Sequence, residues 1–285
     1  MNSSKRIETA SDAVELRLRI RLWRNKGARI ALVPTMGALH DGHLALVREA
    51  KARADKIVVS IFVNPAQFAP HEDFARYPRD MTKDRQFLET AGDADLIYAP
   101  NAKDMYPDGF ATRIVMDGPA AGLESDFRPH FFGGVAMIVT KLFVQCAPDI
   151  AIFGEKDYQQ LLVVKRLVKD LDLPLGIVGV ATLRERDGLA LSSRNVYLNA
   201  ERRSAAAHLN QVLRAVAERA KSGVSIPQAE AEGGAALLNA GFDRVDYVAL
   251  RDAETLAPLR AISGPARVLA AARIGNVRLI DNMAV

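Results

Sequence analysis

The segment 33–43, VPTMGALHDGH, sets two histidines between an apolar run and the start of a helical pattern. His40 and His43 are three residues apart, so both rings can face the same side if a helix begins there. Gly37 and Gly42 leave room for a flat ring or a phosphate to approach the backbone. Imidazoles that are cationic or donate hydrogen bonds, beside free N–H groups and the positive end of a helix, favour phosphate binding. A turn with two surface histidines is the alternative, and the pattern favours function.

Two later segments carry charges and hydroxyls that suit the same kind of ligand. In FGEKDYQQ (153–160), Lys156 offers a point charge and Asp157 is placed to cap the next helix. In DGLALSSRN (187–195), two serine hydroxyls precede the guanidinium of Arg194. The alternatives are an ordinary capped helix with a solvated lysine, and a Ser-Ser helix cap.

A fourth segment, SIFVNPAQF (60–68), places two neutral amides after an apolar run. Asn64 and Gln67 at such a position suit a substrate that carries hydroxyl or carboxylate groups. The alternative is that these amides only form a turn.

The sequence excludes several other kinds of site. No GxGxxG follows the first apolar run and no GxxxxGK[ST] occurs, which disfavours dinucleotide oxidoreductases and P-loop kinases. Cys146 is the only cysteine, and neither HExxH nor CxxC is present. His71 and His130 are far apart in sequence and do not complete a zinc site. The sequence therefore indicates neither a disulfide nor a zinc centre.

The charge and hydropathy of the chain limit the classes of partner that it is expected to bind. The formal net charge is +4, but basic residues alternate with acids along the chain, so a nucleic-acid surface is not indicated and anionic small substrates fit. No run approaches the roughly 20 apolar residues of a membrane span, and the first residues lack the apolar core of a signal peptide. We therefore expect a cytoplasmic protein without membrane or nucleic-acid partners.

Apolar runs alternate with helical patterns over the first two thirds of the chain. This alternation predicts βαβ units and a doubly wound parallel sheet, in which ligands bind beyond the carboxyl ends of the strands. Strands are predicted at 29–33, 56–63, 94–100, 149–153 and 175–180, and helices at 42–54, 80–91, 133–147 and 157–171.

The pattern changes after about residue 181. A helix at 200–221 and a further helix precede three strands with short connections, at 244–250, 267–274 and 277–281. Consecutive strands of this kind favour an antiparallel sheet. The predicted fold is thus a doubly wound α/β domain over residues 1–181 with a second, smaller α+β C-terminal domain over residues 182–285.

Six motifs together resemble the pantothenate synthetase (pantoate–β-alanine ligase) family. The likeness runs in order from about residue 30 to the C-terminus, whereas the HxGH corner alone indicates only the wider nucleotidyltransferase superfamily. The motifs are PTMGALHDGH, SIFVNPAQF, YPRD (77–80), FGEKDYQQ, DGLALSSRN and RLIDN (278–282).

The resemblance implies an enzyme that condenses pantoate with β-alanine through a pantoyl adenylate. It implies a Rossmann-like N-terminal domain, a C-terminal lid and a homodimer. It also implies the use of ATP and Mg²⁺ and the release of AMP and diphosphate. No protein nucleophile is needed, because the substrate carboxylate supplies one. The alternatives are another acid-activating adenylyltransferase of the superfamily and a non-catalytic nucleotide-binding regulator.

The resemblance also assigns residues. His43 matches the proton donor, Gln67 the glutamine shared by pantoate and β-alanine, and Gln160 the second pantoate glutamine. His40, His43, Lys156 and Arg194 are expected to stabilise phosphate charge. Asp84 is a candidate ligand for Mg²⁺. The ATP-binding residues are Met36, Gly37, Ala38, Leu39, His40, Asp41, Gly42, His43, Gly154, Glu155, Lys156, Asp157, Leu191, Ser192, Ser193 and Arg194, with a backbone contact to adenine at Leu183.

The chain departs from the family pattern at two places. The family reads R-P-x-H-F-x-G-V where this chain has RPHFFGGV (128–135), so Phe131 stands at the histidine position and no role is assigned to His130. Ala66 replaces a bulkier residue, which suggests a slightly roomier pocket wall.

Overall fold

The computed structural model describes residues 6–69 and 72–285. Residues 1–5, which belong to the segment without a signal-peptide core, lie outside the described residues. His71, which the sequence does not indicate as a zinc ligand, lies outside them as well.

The larger sheet is parallel, as the alternating pattern predicts. Its order is β1-β4-β3-β2-β5-β6, so the chain winds outward in both directions from β2, and the crevice between β2 and β5 is the switch point at which such sheets bind ligands. The strands are β1 Glu8–Ala10, β2 Ile30–Thr35, β3 Lys56–Ile61, β4 Leu96–Tyr98, β5 Ile150–Gly154 and β6 Gly176–Val180.

Helices cover both faces of this sheet. Leu44, Val47 and Leu88 pack on one face, and Leu16, Ile20 and most of one long apolar helix pack on the other. The central strands are therefore apolar throughout rather than alternating. The helices are α1 Ala13–Arg24, α2 Asp41–Arg53, α3 Met81–Ala91, α4 Ala102–Met105, α5 Glu124–Phe127, α6 Phe131–Cys146 and α7 Tyr158–Asp170.

The C-terminal part is built on a smaller antiparallel sheet of order β7-β8-β9. The predicted helix at 200–221 is wrong in one respect, because it is two helices that meet at Ala207, where the backbone N–H bonds to Ser204 three residues back. The elements are α8 Ala200–Ala206, α9 His208–Lys221, α10 Ile226–Asn239, β7 Arg244–Asp252, β8 Ala266–Ile274 and β9 Val277–Ala284.

The predicted fold class is confirmed: a Rossmann-like parallel sheet is followed by a smaller α+β part. The larger sheet ends at Val180, and the division of the chain between residues 181 and 182 stays a prediction. Within the described ranges, none of the helices has the length and apolar character needed to cross a membrane.

Candidate active site

A cavity of about 530 Å³ lies where the carboxyl ends of the parallel strands face the C-terminal sheet. One side of the cavity is formed by the loops that follow β2, β3, β5 and β6, and the other side by β9. Residues that are distant in sequence therefore line the same cavity. The predicted site residues that line it are Met36, His40, Gly42, His43, Gln67, Gly154, Lys156, Asp157, Gln160, Leu183, Leu191, Ser192, Ser193 and Arg194.

Five predicted ATP-binding residues are not part of that lining. Glu155 is directed toward the smaller sheet, where its carboxylate accepts from the Nη2 of Arg267 at 2.8 Å. The others belong to the turn that leads into α2 and to the first residue of that helix. The five are Gly37, Ala38, Leu39, Asp41 and Glu155.

The two histidines begin α2 and hold each other in place. His40 is the N-cap, and its Nδ1 accepts from the N–H of Gly42 at 3.1 Å. The Nδ1 of His43 accepts from the N–H of His40 at 3.2 Å, and the ring centroids are 4.1 Å apart. Because each Nδ1 is an acceptor, a neutral ring carries its proton on Nε2. Each imidazole is therefore a fixed Nε2–H donor.

Both imidazoles are neutral at physiological pH. Burial and the nearby Lys156 lower the pKa of His40 to about 4. Burial, His40 and Lys156 lower that of His43 to about 3. Of the two options left open by the sequence, cationic rings are thus wrong, and hydrogen-bond donors agree with the structure. Lys156 supplies the positive charge at this end of the cavity.

The backbone N–H groups that precede and begin α2 are not free to bind a phosphate. The N–H groups of Gly42 and His43 bond to the side chain and carbonyl of His40, and those of Ala38 and Leu39 bond to Asp84. A Cβ on Gly42 would lie 2.8 Å from Cε1 of His40, so this glycine makes room for the imidazole rather than for a phosphate. The expectation of free N–H groups is wrong for these positions.

The smaller sheet fixes the backbone around Lys156. The Nδ2 of Asn282 donates to the carbonyls of Glu155 and Lys156 at 2.9 and 2.8 Å, and Arg267 donates to Oδ1 of Asn282 at 2.7 Å. Asp157 occupies the N-cap position of α7 but makes no capping bond with its side chain, which corrects its predicted role. Asp157 is instead one of the residues that line the cavity.

Arg194 and the two serines tie the 187–195 segment to the rest of the site. Ser192 caps the short helix 193–197, and Ser193 donates to the carbonyl of Ala38 at 3.1 Å. Nε and Nη2 of Arg194 donate to the two oxygens of Asp73, both at 3.0 Å. Asp73 therefore offsets the charge of Arg194 in this structure.

The amides after β3 form a buried network. Gln67 is 8% exposed; its Oε1 accepts from Nδ2 of Asn64 at 3.1 Å, and its Nε2 lies 3.0 Å from the sulfur of Met36. Asn64 also donates to the carbonyl of Gly134 and accepts from the hydroxyl of Tyr106 at 2.7 Å. Gln67 is held with its amide at the cavity wall.

The structure shows where the residues that depart from the family pattern lie. His130 is exposed, whereas Phe131 lines the cavity and the guanidinium of Arg128 lies 3.9 Å from its ring centroid. Ala66 is exposed and is not part of the cavity wall. The roomier wall suggested for Ala66 is therefore wrong.

Several charged residues of the wall were not predicted. Each is a carboxylate or a guanidinium that forms an ion pair with another charged side chain. Arg128 lies in the RPHF segment and Arg278 opens the RLIDN motif, so these two had a sequence signal, whereas the three carboxylates had none. The five residues are Glu72, Asp73, Glu124, Arg128 and Arg278.

Comparison with known proteins decides the family. The family model described as pantoate-beta-alanine ligase matches residues 8–284. The chain belongs to this family. The pantoate–β-alanine ligase chain is 60% identical over 272 residues to a pantothenate synthetase of Bradyrhizobium sp., covering 95% of both chains. It is 54% identical to that of Maricaulis maris, covering 99% of this chain and 98% of the relative.

Solved structures agree with the sequence relatives. A pantothenate synthetase of Thermus thermophilus superposes with a TM-score of 0.91 at 48% identity, covering 97% of this chain and 99% of that one. A pantoate–β-alanine ligase of Francisella tularensis, complexed with beta-gamma ATP and β-alanine, gives 0.81 at 34% identity and 97% coverage of both. The chain is a ligase that forms pantothenate from pantoate and β-alanine, and the two alternative functions are set aside.

Proposed function

We propose that the cavity between the two sheets is where this ligase binds ATP, pantoate and β-alanine and forms the pantoyl adenylate. The observation that carries the proposal is the convergence in one cavity of two Nε2–H imidazoles, Lys156 and the buried amide of Gln67. The phosphates lie against His40, His43 and Lys156. Adenine lies at Leu183, and pantoate lies between Gln67 and Gln160.

In the first step, groups already in place stabilise the negative charge that develops on the phosphate. A carboxylate oxygen of pantoate attacks the α-phosphorus of ATP, the bond to diphosphate breaks, and negative charge grows on the phosphate oxygens. Neutral Nε2–H donors and one ammonium aimed at that charge lower the barrier without reorganising. Arg194 joins them when its bonds to Asp73 are exchanged for phosphate oxygens.

In the second step, the uncharged amine of β-alanine attacks the acyl carbon. The amide bond forms, the acyl–oxygen bond to AMP breaks, and the departing phosphate oxygen of AMP takes the proton that the amine loses. The Nδ1 of His43 accepts from the N–H of His40, and burial lowers the pKa of His43 to about 3, so we assign its Nε2–H hydrogen-bond donation to phosphate.

Mg²⁺ fits the site as a companion of ATP. Across the described ranges, no group of three or more His, Cys, Asp or Glu side chains is arranged to hold a metal. Mg²⁺ in phosphoryl-transfer sites is bound by one or two carboxylates together with substrate phosphates, and Asp157 lines the cavity beside Lys156. Asp157 would hold the ion, which would neutralise part of the phosphate charge.

The remaining family expectations complete the proposal. Residues 182–285 act as a lid that protects the hydrolysable adenylate from water, supported by the reach of Asn282 to the backbone at 155–156. The enzyme works as a homodimer in the cytoplasm.

The proposal predicts that Gln67→Ala raises the KM for pantoate roughly 10- to 100-fold, the cost of a lost bond to a charged group, while the KM for ATP changes little. Initial rates of pyrophosphate release, with pantoate or ATP varied while the other substrates are saturating, measure both constants. Gln86→Ala removes an exposed glutamine and serves as the control. Equal losses for both substrates would mean that Gln67 supports the fold only.

A further inference from the structure

A buried carboxylate supports the turn that precedes the paired histidines. Asp84 of α3 is 3% exposed. Its Oδ2 accepts from the N–H of Ala38 at 3.0 Å and its Oδ1 from the N–H of Leu39 at 2.8 Å. Both oxygens of one side chain are therefore bonded to consecutive backbone groups of the catalytic loop.

This turn needs such a partner because its backbone is unusual. Gly37 has φ +80° and Ala38 has φ +51°, and the left-handed region is unfavourable for a residue with a Cβ. A Cβ on Gly37 would lie 2.9 Å from Oδ2 of Asp84, so the carboxylate is packed directly against the turn. A strained conformation persists when its surroundings fix it, and Asp84 supplies two bonds to that end.

The position of this turn also determines where the imidazoles point. Leu39 is followed at once by His40, the N-cap of α2, and the Nδ1 of His43 accepts from the N–H of His40. A shift of the turn would move the N–H groups that fix both ring orientations. Ser193 holds the same turn from the opposite part of the chain, at the carbonyl of Ala38.

The geometry does not suit the role of metal ligand that the sequence suggested for Asp84. Asp84 is not part of the cavity wall, and its two oxygens face backbone N–H groups that repel a cation. A ligand of Mg²⁺ needs an oxygen directed at the ion and the phosphates. Asp157 lines the cavity and Asp84 does not.

We infer that Asp84 is a positioning residue of the ligase: it holds the 37–39 turn so that His40 and His43 present Nε2–H donors to the phosphates, and it does not bind Mg²⁺. The inference rests on the proposed function for the consequence in catalysis. The effect on ring orientation follows from the geometry alone.

The test compares Asp84→Ala, which removes both acceptors, with Asp84→Asn, which keeps one acceptor oxygen and places an NH₂ group against the other N–H. Asp80→Asn is the matched control, because it removes a carboxylate at the start of the same helix, where Asp80 accepts from the N–H of Lys83. The readouts are kcat, the KM for ATP, the Mg²⁺ concentration for half-maximal activity, and imidazole ¹⁵N shifts of the substrate-free protein.

We expect Asp84→Ala to lower kcat roughly 100-fold, as a displacement of about 1 Å at reacting groups does, with Asp84→Asn intermediate. The half-saturating Mg²⁺ concentration stays unchanged. The ¹⁵N shifts change from a single Nε2–H tautomer to a mixture in Asp84→Ala and stay wild-type in Asp80→Asn.

Three results would overturn the inference. One is recovery of Asp84→Ala by excess Mg²⁺, which marks a metal ligand. The others are a wild-type kcat in a folded Asp84→Ala protein, and an unchanged tautomer in both Asp84 variants. If Asp84→Ala does not fold, Asp84→Asn decides by the same readouts. If His43→Ala were fully active, the proposed function would fail, while the tautomer result would still report whether Asp84 sets the rings.

Discussion

At the scale of single residues, the site works with uncharged imidazoles beside one ammonium. The spacing of His40 and His43 predicted a shared face, because their positions follow from helix geometry. Their neutrality and tautomer could not be predicted from the sequence, since both depend on burial and on the backbone partners of each Nδ1. For the same reason the sequence missed Asp73 as the partner of Arg194.

The lowered pKa values predict how stability depends on pH. In the unfolded chain these histidines bind protons below about pH 6.5, whereas the folded protein binds them only near pH 4 for His40 and pH 3 for His43. The unfolded state thus holds more protons between these limits, so stability falls as pH is lowered from about 6.5 to 4. Each histidine contributes a slope of about 1.4 kcal/mol per pH unit.

Urea unfolding of His43→Asn at a series of pH values between 4 and 6.5 measures this slope. We expect the free energy of unfolding of the variant to fall less steeply with decreasing pH than that of the wild type, because its unfolded state takes up about one proton fewer. This difference in slope does not depend on the stability of the variant at pH 7. Parallel curves for wild type and His43→Asn would contradict the buried, neutral histidine.

At the scale of elements, the apolar strands and the helices between them were predicted well, because a sheet covered on both faces produces continuous apolar runs. The strand β1 and the helix α1 were not predicted. The β1 strand has three residues, and α1 carries exposed Val14, Leu18 and Leu22 beside its buried Leu16 and Ile20, which obscures the helical period. Such surface apolar residues cannot be separated from core residues by pattern alone.

Close packing of α6 against the 65–67 turn predicts opposite effects for two helical glycines. A Cβ on Gly134 would overlap the carbonyl of Ala66 and lie 2.9 Å from the N of Gln67, whereas one on Gly234 in α10 meets nothing within 4 Å among the described residues. Gly134→Ala should lower the free energy of unfolding by about 1–3 kcal/mol and raise the KM for pantoate. Gly234→Ala should raise that free energy by about 0.5–1 kcal/mol.

Denaturant unfolding and pantoate titration of the two purified variants check this pair. If Gly134→Ala were as stable as wild type with an unchanged KM, the packing that holds Gln67 would not matter for the site.

At the scale of the whole molecule, buried charges join the helix α5 to the smaller sheet. Arg278 of β9 donates to both oxygens of Glu124 at 2.8 Å and to Asp246 at 2.7 Å, and the hydroxyl of Tyr247 donates to Glu124 at 2.8 Å. Burial raises the pKa of Glu124, but the bonds and charge of Arg278 outweigh this, and the pKa is lowered. The sequence showed these residues individually but could not pair positions 154 residues apart.

Breaking this pair should cost far more than breaking a similar pair at the surface. The side chains of Arg278 and Glu124 are 13% and 6% exposed, those of Arg219 and Glu232 are 49% and 43% exposed, and both pairs are bidentate. We expect Arg278→Met to lower the free energy of unfolding by about 3–5 kcal/mol and Arg219→Met by no more than about 1 kcal/mol. Similar losses measured in urea would mean that the buried pair does not join the two parts.

The measurement that tests the central claim most directly is pantoate-dependent exchange of label between pyrophosphate and ATP with β-alanine rigorously absent. The account predicts exchange that requires pantoate, falls roughly 100- to 1,000-fold in folded His43→Ala, as when one preorganised donor is removed, and is unchanged in His130→Ala. If wild type shows no exchange because pyrophosphate is held tightly, a quenched single turnover should contain pantoyl adenylate. Wild-type exchange in His43→Ala, or neither exchange nor adenylate in an enzyme that makes pantothenate, would contradict the account.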